Sequence, residues 1–166
     1  MSISNIISNQ INADRNIVRS LWDKLEGIPG GKSIFSKLIG RAAPYTGSIN
    51  AKVHELRPGY SRITLADKPS LRNHLECVHA VALVNLAEVT GNLALSYSLP
   101  DNARFIVAGI SIEYLKKSRG TITGTCESPL ITSSERMEYQ VPVVMKDDSG
   151  TIVATASLRT LVGPKL

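Results

Sequence analysis

Asn73-His74-Leu75-Glu76-Cys77-Val78-His79-Ala80 runs without a break into Val81-Ala82-Leu83-Val84-Asn85-Leu86-Ala87-Glu88-Val89, and the apolar pattern continues to Leu95. Between Val78 and Leu95 lie Val78, Val81, Leu83, Val84, Leu86, Val89, Leu93 and Leu95, with four alanines among them. At a period of 3.6 residues these positions fall on nearly every face, so the stretch reads as a helix buried on most sides. Glu88 stands in its middle. An ionised carboxylate is costly to bury unless it is paired or hydrogen-bonded. Asn85 and Asn92 sit at helical spacing from Glu88 and form a narrow polar stripe with it. The stripe has two readings: a solvated or subunit-facing strip, or a general base or nucleophile held in a secluded apolar cleft.

After Pro100 the pattern turns to strands. Arg104–Leu115, Thr121–Cys126, Glu135–Lys146 and Thr151–Leu161 are separated by Arg119-Gly120, Ser128-Pro129 and Asp147-Asp148-Ser149-Gly150, the last a strong hairpin signal. Upstream, Ser48–Leu56 alternates, with Ile49, Ala51, Val53 and Glu55 on one face. Arg57-Pro58-Gly59 turns it into a return strand, Tyr60–Leu65. Before that the chain reads as helical. Ile17, Val18, Leu21, Trp22 and Leu25 recur at three- and four-residue spacing after a cap at Asp14 or Asn12, and Ser33–Ile39 is a second short amphipathic helix. Helices, a hairpin, one buried helix and then four consecutive strands predict an α+β domain with an antiparallel sheet wrapped around the long helix. Residues 1–43 form a helical extension and residues 44–166 the main body of a single domain.

The 166 residues are 43% hydrophobic and 20% charged, enough apolar content for a core. Two cysteines, Cys77 and Cys126, make no disulfide framework. Met1–Gln10 lacks the basic start and apolar run of a signal peptide, and no window has the roughly 18 apolar residues of a membrane helix. A soluble cytoplasmic protein is expected. The net charge of +5 is spread out and aromatics are 5%, which argues against a nucleic-acid surface. Lys116, Lys117 and Arg119 are the densest basic cluster, read either as a solvated strand end or as a contact for substrate phosphates.

Several motifs fail. Pro29-Gly30-Gly31-Lys32-Ser33 invites a phosphate-loop reading, but the required first glycine falls on Glu26 and no strand precedes it. His74, Cys77 and His79 lack the spacing and further ligands of a zinc site, so no metal is expected. There is no Gly-x-Ser-x-Gly elbow.

Asn73, His79 and Glu88 remain. His79 and Glu88 are nine residues apart, about half a turn out of phase at roughly 100° per residue. One straight helix cannot converge both on a small ligand. A site using both needs a second copy of the chain, and a symmetric dimer creates two such sites.

The segment Asn73–Ala80, followed by Leu86-Ala87-Glu88, resembles the hotdog-fold acyl-CoA thioesterases of the phenylacetate-pathway type, closest to their poorly characterised, thioesterase-like bacterial branch. That family carries Asn, six residues later His-Gly, and an Asp or Glu nine residues after the His. Those positions are Asn73, His79, Ala80 and Glu88, and the likeness extends from about Pro44 to Leu161, including Ile112-Glu113-Tyr114-Leu115-Lys116. The resemblance implies a hotdog fold with extra N-terminal helices, a homodimer or dimer of dimers, and an acyl-CoA or other acyl-thioester substrate. Coenzyme A belongs to that substrate, and no separate cofactor is implied. The helix N-terminus at His79-Ala80 would face the thioester carbonyl oxygen. Glu88 of the opposite subunit would activate water or attack directly. Asn73 would position the water or the thioester, and His79 would hold the loop and helix start. Asn85, Val107, Lys116, Lys117 and Arg119 are the expected substrate contacts. Two departures stand out. Ala80 replaces the usual Gly, adding a methyl where the thioester approaches. Val107 falls where many relatives place a Ser or Thr facing the carboxylate, with Ser111 a distant substitute. A non-catalytic acyl-group binder or structural dimer is the alternative function. The close Asp and His of hotdog hydratases are not found.

Overall fold

The computed structural model describes residues 15–165. Three helices come first: α1 (Ile17–Leu25), α2 (Gly31–Ala42) and the single turn α3 (Pro44–Gly47). The hairpin β1 (Lys52–Arg57) and β2 (Tyr60–Leu65) follows, then the long helix α4 (Ala80–Ser98), then β3 (Ala103–Tyr114), β4 (Ile122–Glu127), β5 (Met137–Lys146) and β6 (Ile152–Pro164). All six strands form one antiparallel sheet in the order β1-β2-β4-β5-β6-β3. α4 touches all six strands, so the sheet curves around it.

The burial of α4 follows from its composition. Twelve of its nineteen residues are buried, so it is a core element with one narrow open strip. Gly91 sets how closely it lies on the sheet. A Cβ there would meet Leu158 Cδ2 at 2.9 Å and Val141 Cγ1 at 3.3 Å, so a larger residue would push the helix off β5 and β6. On an adjacent face Thr90 lies over Gly124 of β4, and the Ser61 hydroxyl of β2 donates to the Thr90 carbonyl at 2.7 Å.

Two bulges alter the alternation read from the sequence. Register shifts between Val53 and Glu55, so Val53 and Leu56 are buried while Glu55 points outward to Arg57 and Arg62. Val53 and Glu55 therefore do not share a face. A second shift lies between Val107 and Gly109 in β3. Before it, Phe105 and Val107 face α4. After it, Ile110, Ile112 and Tyr114 do, opposite the buried Leu158, Ala156 and Ala154.

The cap of α1 also differs from expectation. Asp14 and Asn12 lie outside the described residues, and Asn16 caps the helix by accepting from Arg19 N–H at 3.0 Å. Its amide reaches back to the other end of the fold, donating to Ser96 O at 2.6 Å and Leu99 O at 2.9 Å. One buried side chain thus caps the start of α1 and satisfies carbonyls at the end of α4. Trp22 and Phe35 are fully buried and meet edge-on at 5.1 Å, which locks α1 to α2. At the corner between them Gly31 lies against the Leu25 carbonyl, where any side chain would collide with backbone. That contact explains Gly31, and Gly30 takes a left-handed φ of +77 at the turn, which a helix rather than a strand precedes. No helix among the described residues is long and apolar enough to cross a membrane.

Candidate active site

The loop entering α4 is tightly built. Asn73 Oδ1 accepts from Leu75 N–H at 2.9 Å and Cys77 Sγ at 3.3 Å, and Asn73 N–H donates to Cys77 O at 2.9 Å. This closes a turn that holds Glu76 at φ +53, and it occupies the carbonyl of the Asn73 side chain. Val78 N–H then donates to Ser118 O at 2.8 Å and His79 N–H to Leu71 O at 2.7 Å. The surrounding ion network fixes these segments to one another. Asp67 takes Arg72 Nε at 2.7 Å and Gly120 N–H at 3.1 Å, while Asp148 takes Thr121 N–H at 2.8 Å. The Arg72 guanidinium beside Asp67 holds that carboxyl below its ordinary range. Arg119 donates to the carbonyls of Glu76 and Leu75 at 3.2 and 3.3 Å, so its guanidinium braces the loop. Lys116 and Lys117 are exposed at the end of β3.

His79 is the N-cap of α4. Its Nδ1 accepts from Val81 N–H at 3.1 Å and its carbonyl accepts from Ala82 at 2.9 Å. Ala80 is the first helical residue, and its N–H precedes the first intrahelical acceptor. Tyr114 donates its hydroxyl to Ala80 O at 3.2 Å, which joins the last residue of β3 to the helix start. Burial pushes the Tyr114 phenol up, so it remains a neutral donor. In the sequence Tyr114 figured only within the Ile112–Lys116 likeness and had no role; the β3 bulge is what turns it toward the helix start.

Glu88 lies two turns further on. It is half-buried, and no hydrogen bond or ion pair engages its carboxylate among the described residues. Its direction follows from its neighbours. Thr90 faces β4 and Gly91 faces β5 and β6. Glu88 is three residues before Gly91, about 60° further round in the same sense, which aims it toward β3, the edge strand. Val81, Val84, Glu88 and Asn92 make the open strip of the helix. Asn85 is not part of it. Asn85 is 3% exposed, its amide donates to Tyr45 O at 3.0 Å, which pins α3 to α4, and its Oδ1 is buried with no hydrogen-bond partner among the described residues.

Val107 faces inward on β3, paired with Thr160 of β6. Ser111 pairs with Ser157 on the outer face and cannot substitute for a hydroxyl opposite Glu88. The inward hydroxyl nearest Val107 in register is that of Thr160, which is 1% exposed and has no hydrogen-bond partner among the described residues.

A curved antiparallel sheet in this order around one long helix is the hotdog fold, the fold of several bacterial thioesterases. A Pseudomonas aeruginosa protein described as a probable thioesterase superposes with a TM-score of 0.72 at 20% identity, covering 82% of this chain and 97% of that one. A Haemophilus influenzae thioesterase gives 0.65 at 15% identity, covering 74% and 84%. A structural-genomics target, APC5556, gives 0.77 at 31% identity over 89% of this chain and 98% of the other. No curated protein matches the chain. Residues 31–162 match the family described as a domain of unknown function, DUF4442, and the chain belongs to that family.

Proposed function

We propose that the protein hydrolyses acyl-thioesters, acyl-CoA among them, in a site shared between two copies of the chain. The observation that carries this reading is Glu88: a half-buried carboxylate with no partner among the described residues, on the open strip of an otherwise apolar helix, aimed at the edge strand β3. The likeness in fold to proteins named thioesterases supports the chemistry.

Ala80 and Glu88 belong to one helix and lie eight residues apart, about 12 Å along its axis. A thioester carbonyl cannot reach both within one protomer. β3 supplies the means of bringing a second helix close. Among the described residues it pairs with β6 on one side and with nothing on the other, and it carries Ile106 at 66% and Ile110 at 36% exposure. A twelve-residue apolar edge is a template for another strand. Antiparallel pairing of two β3 strands sets the Tyr114–Ala80 end of one protomer beside the opposite end of the other. The amides at the start of one α4 then polarise the carbonyl, with the helix dipole adding to them. Glu88 of the other copy takes a proton from water as the water oxygen adds to the carbonyl carbon, and it returns that proton to the thiolate as the C–S bond breaks; in the direct route the carboxylate adds, the departing thiolate takes a proton from solvent, and water then hydrolyses the anhydride. Lys116 and Lys117 are placed at the same end to meet phosphates.

The alternative is a binder of acyl groups without turnover. It is favoured by Val107, which offers no hydroxyl where it faces the helix, and by the Ala80 methyl. Steady-state hydrolysis of acyl-CoA thioesters from short to long chains, with wild type and Glu88→Gln, decides between them. Proposed catalysis requires activity in the wild type and a fall in kcat/KM of at least about 100-fold in the variant. A folded dimer inactive on every chain length supports the binder.

A further inference from the structure

At the end of α4 remote from Ala80, α1 and α2 arch over the sheet and leave a groove of about 1470 Å³. Its walls include Ile17, Val18 and Leu21 of α1, Leu38 and Ile39 of α2, and Phe105 of β3. These side chains are half-buried. The apolar stripe of α1 is wider than its contact with α2 and α4 covers. Trp22 is sealed against Phe35, whereas its stripe-mates line an open space.

The rim is strongly basic. Arg15, Lys24, Arg41, Arg104 and Arg136 border the groove, all exposed and none engaged by a carboxylate among the described residues. The one acid of the lining, Glu138, is paired with Arg159 at 3.1 Å. An apolar trough edged by five cations that no carboxylate pairs among the described residues fits a ligand that is apolar along its length and anionic at one end.

We propose that this groove binds a long-chain fatty carboxylate, its alkyl tail between α1, α2 and β3 and its head group on the arginine rim. The choice of ligand rests on the thioesterase reading, since a fatty carboxylate is what hydrolysis of a long-chain acyl-thioester releases. The site itself does not depend on Glu88. Ser96 and Leu99 line it and Glu88 does not, Ser96 lying eight residues beyond Glu88, about 12 Å along the helix.

The test is calorimetric titration of the full-length protein with octanoate, laurate and palmitate below their micellar concentrations, with 1-hexadecanol as the uncharged control. Full burial of each methylene gives about a fourfold gain in affinity, so laurate is expected to bind at least about tenfold more tightly than octanoate. Hexadecanol is expected to bind at least about tenfold more weakly than palmitate. The exposed-site double variant Arg104→Glu/Arg136→Glu should lose affinity for palmitate by a similar factor. Leu21→Trp, which fills the trough, should abolish binding, with circular dichroism showing that both variants keep their helices. Glu88→Gln should bind palmitate as the wild type does, so failure of the catalytic proposal leaves this result intact. Absence of saturable binding, affinity insensitive to chain length or to charge reversal, or loss of binding in Glu88→Gln would each overturn the proposal. So would binding that appears only after removal of residues 1–14, which would mean that the chain fills its own groove.

Discussion

Glu88 is where the cost of a side chain and its use are in tension. A half-buried carboxylate with no hydrogen bond among the described residues is partly desolvated without compensation from them. Glu88→Gln retains size and polarity but removes the charge, and is expected to leave the unfolding free energy unchanged or raise it by up to about 1 kcal/mol. Urea denaturation reads this directly. A loss of more than about 1 kcal/mol would mean that the carboxylate has a structural partner and would weaken its assignment to chemistry. His79 gives the opposite expectation. Its imidazole caps the Val81 amide and does not point at Glu88 of its own helix. His79→Ala should cost about 1 kcal/mol of stability, as loss of an N-cap does, and His79→Asn should recover most of it. Activity that followed stability through this pair would identify His79 as a positioning residue.

β3 is both the reporter of the assembly and the element hardest to read from sequence. If two copies pair along it, Ile110→Lys places a charge on an edge that must meet its own symmetry mate. Light scattering at micromolar concentration should show a monomer, and hydrolysis should fall with it, because Ala80 and Glu88 of one helix cannot serve the same carbonyl. A variant that remains dimeric would move the interface elsewhere. The presence of α4 and of all six strands was legible, with α4 starting two residues later than its pattern and β2 matching it end to end, whereas β1 begins at Lys52 and not at the expected Ser48. Apolar periods register burial, and burial decides these elements. The bulges at Val53/Glu55 and Val107/Gly109 were not legible. One extra residue in a strand leaves composition unchanged but inverts every later side chain. That inversion turned Ser111 outward and Tyr114 inward. Asn85 escaped for a related reason. At helical spacing it shares a polar stripe with Glu88, and only the position of Tyr45, forty residues away in sequence, buries it.

At the scale of the whole molecule, two polar devices join parts distant in the chain. Asn16 ties α1 to the end of α4 with buried hydrogen bonds in both directions. Asn16→Ala removes an N-cap and the side-chain donor to Leu99 O and Ser96 O, the latter keeping the Leu99 N–H, so about 2–3 kcal/mol of stability should be lost in chemical denaturation. Asp67 is the second device. Its side chain is 9% exposed and it joins Arg72 to the Gly120 amide, holding the loop before α4 to the β3–β4 connection. Its folded-state pKa is depressed, first by the hydrogen bond from Arg72 and then by the Gly120 amide, with burial opposing. A carboxylate with a depressed folded pKa binds fewer protons than in the unfolded chain. Its contribution is therefore complete above the ordinary aspartate value of about 3.9 and is lost as pH falls through the lower folded value. Thermal melts between pH 6 and pH 3 should show the wild type losing stability steeply below about pH 4. Asp67→Asn should begin less stable at pH 6 and lose less on acidification, so the two curves converge. Parallel curves would remove Asp67 as the acid-sensitive latch. Because the latch holds the loop that presents His79 and Ala80, its opening should reduce acyl-thioester turnover at a pH where the sheet is still folded.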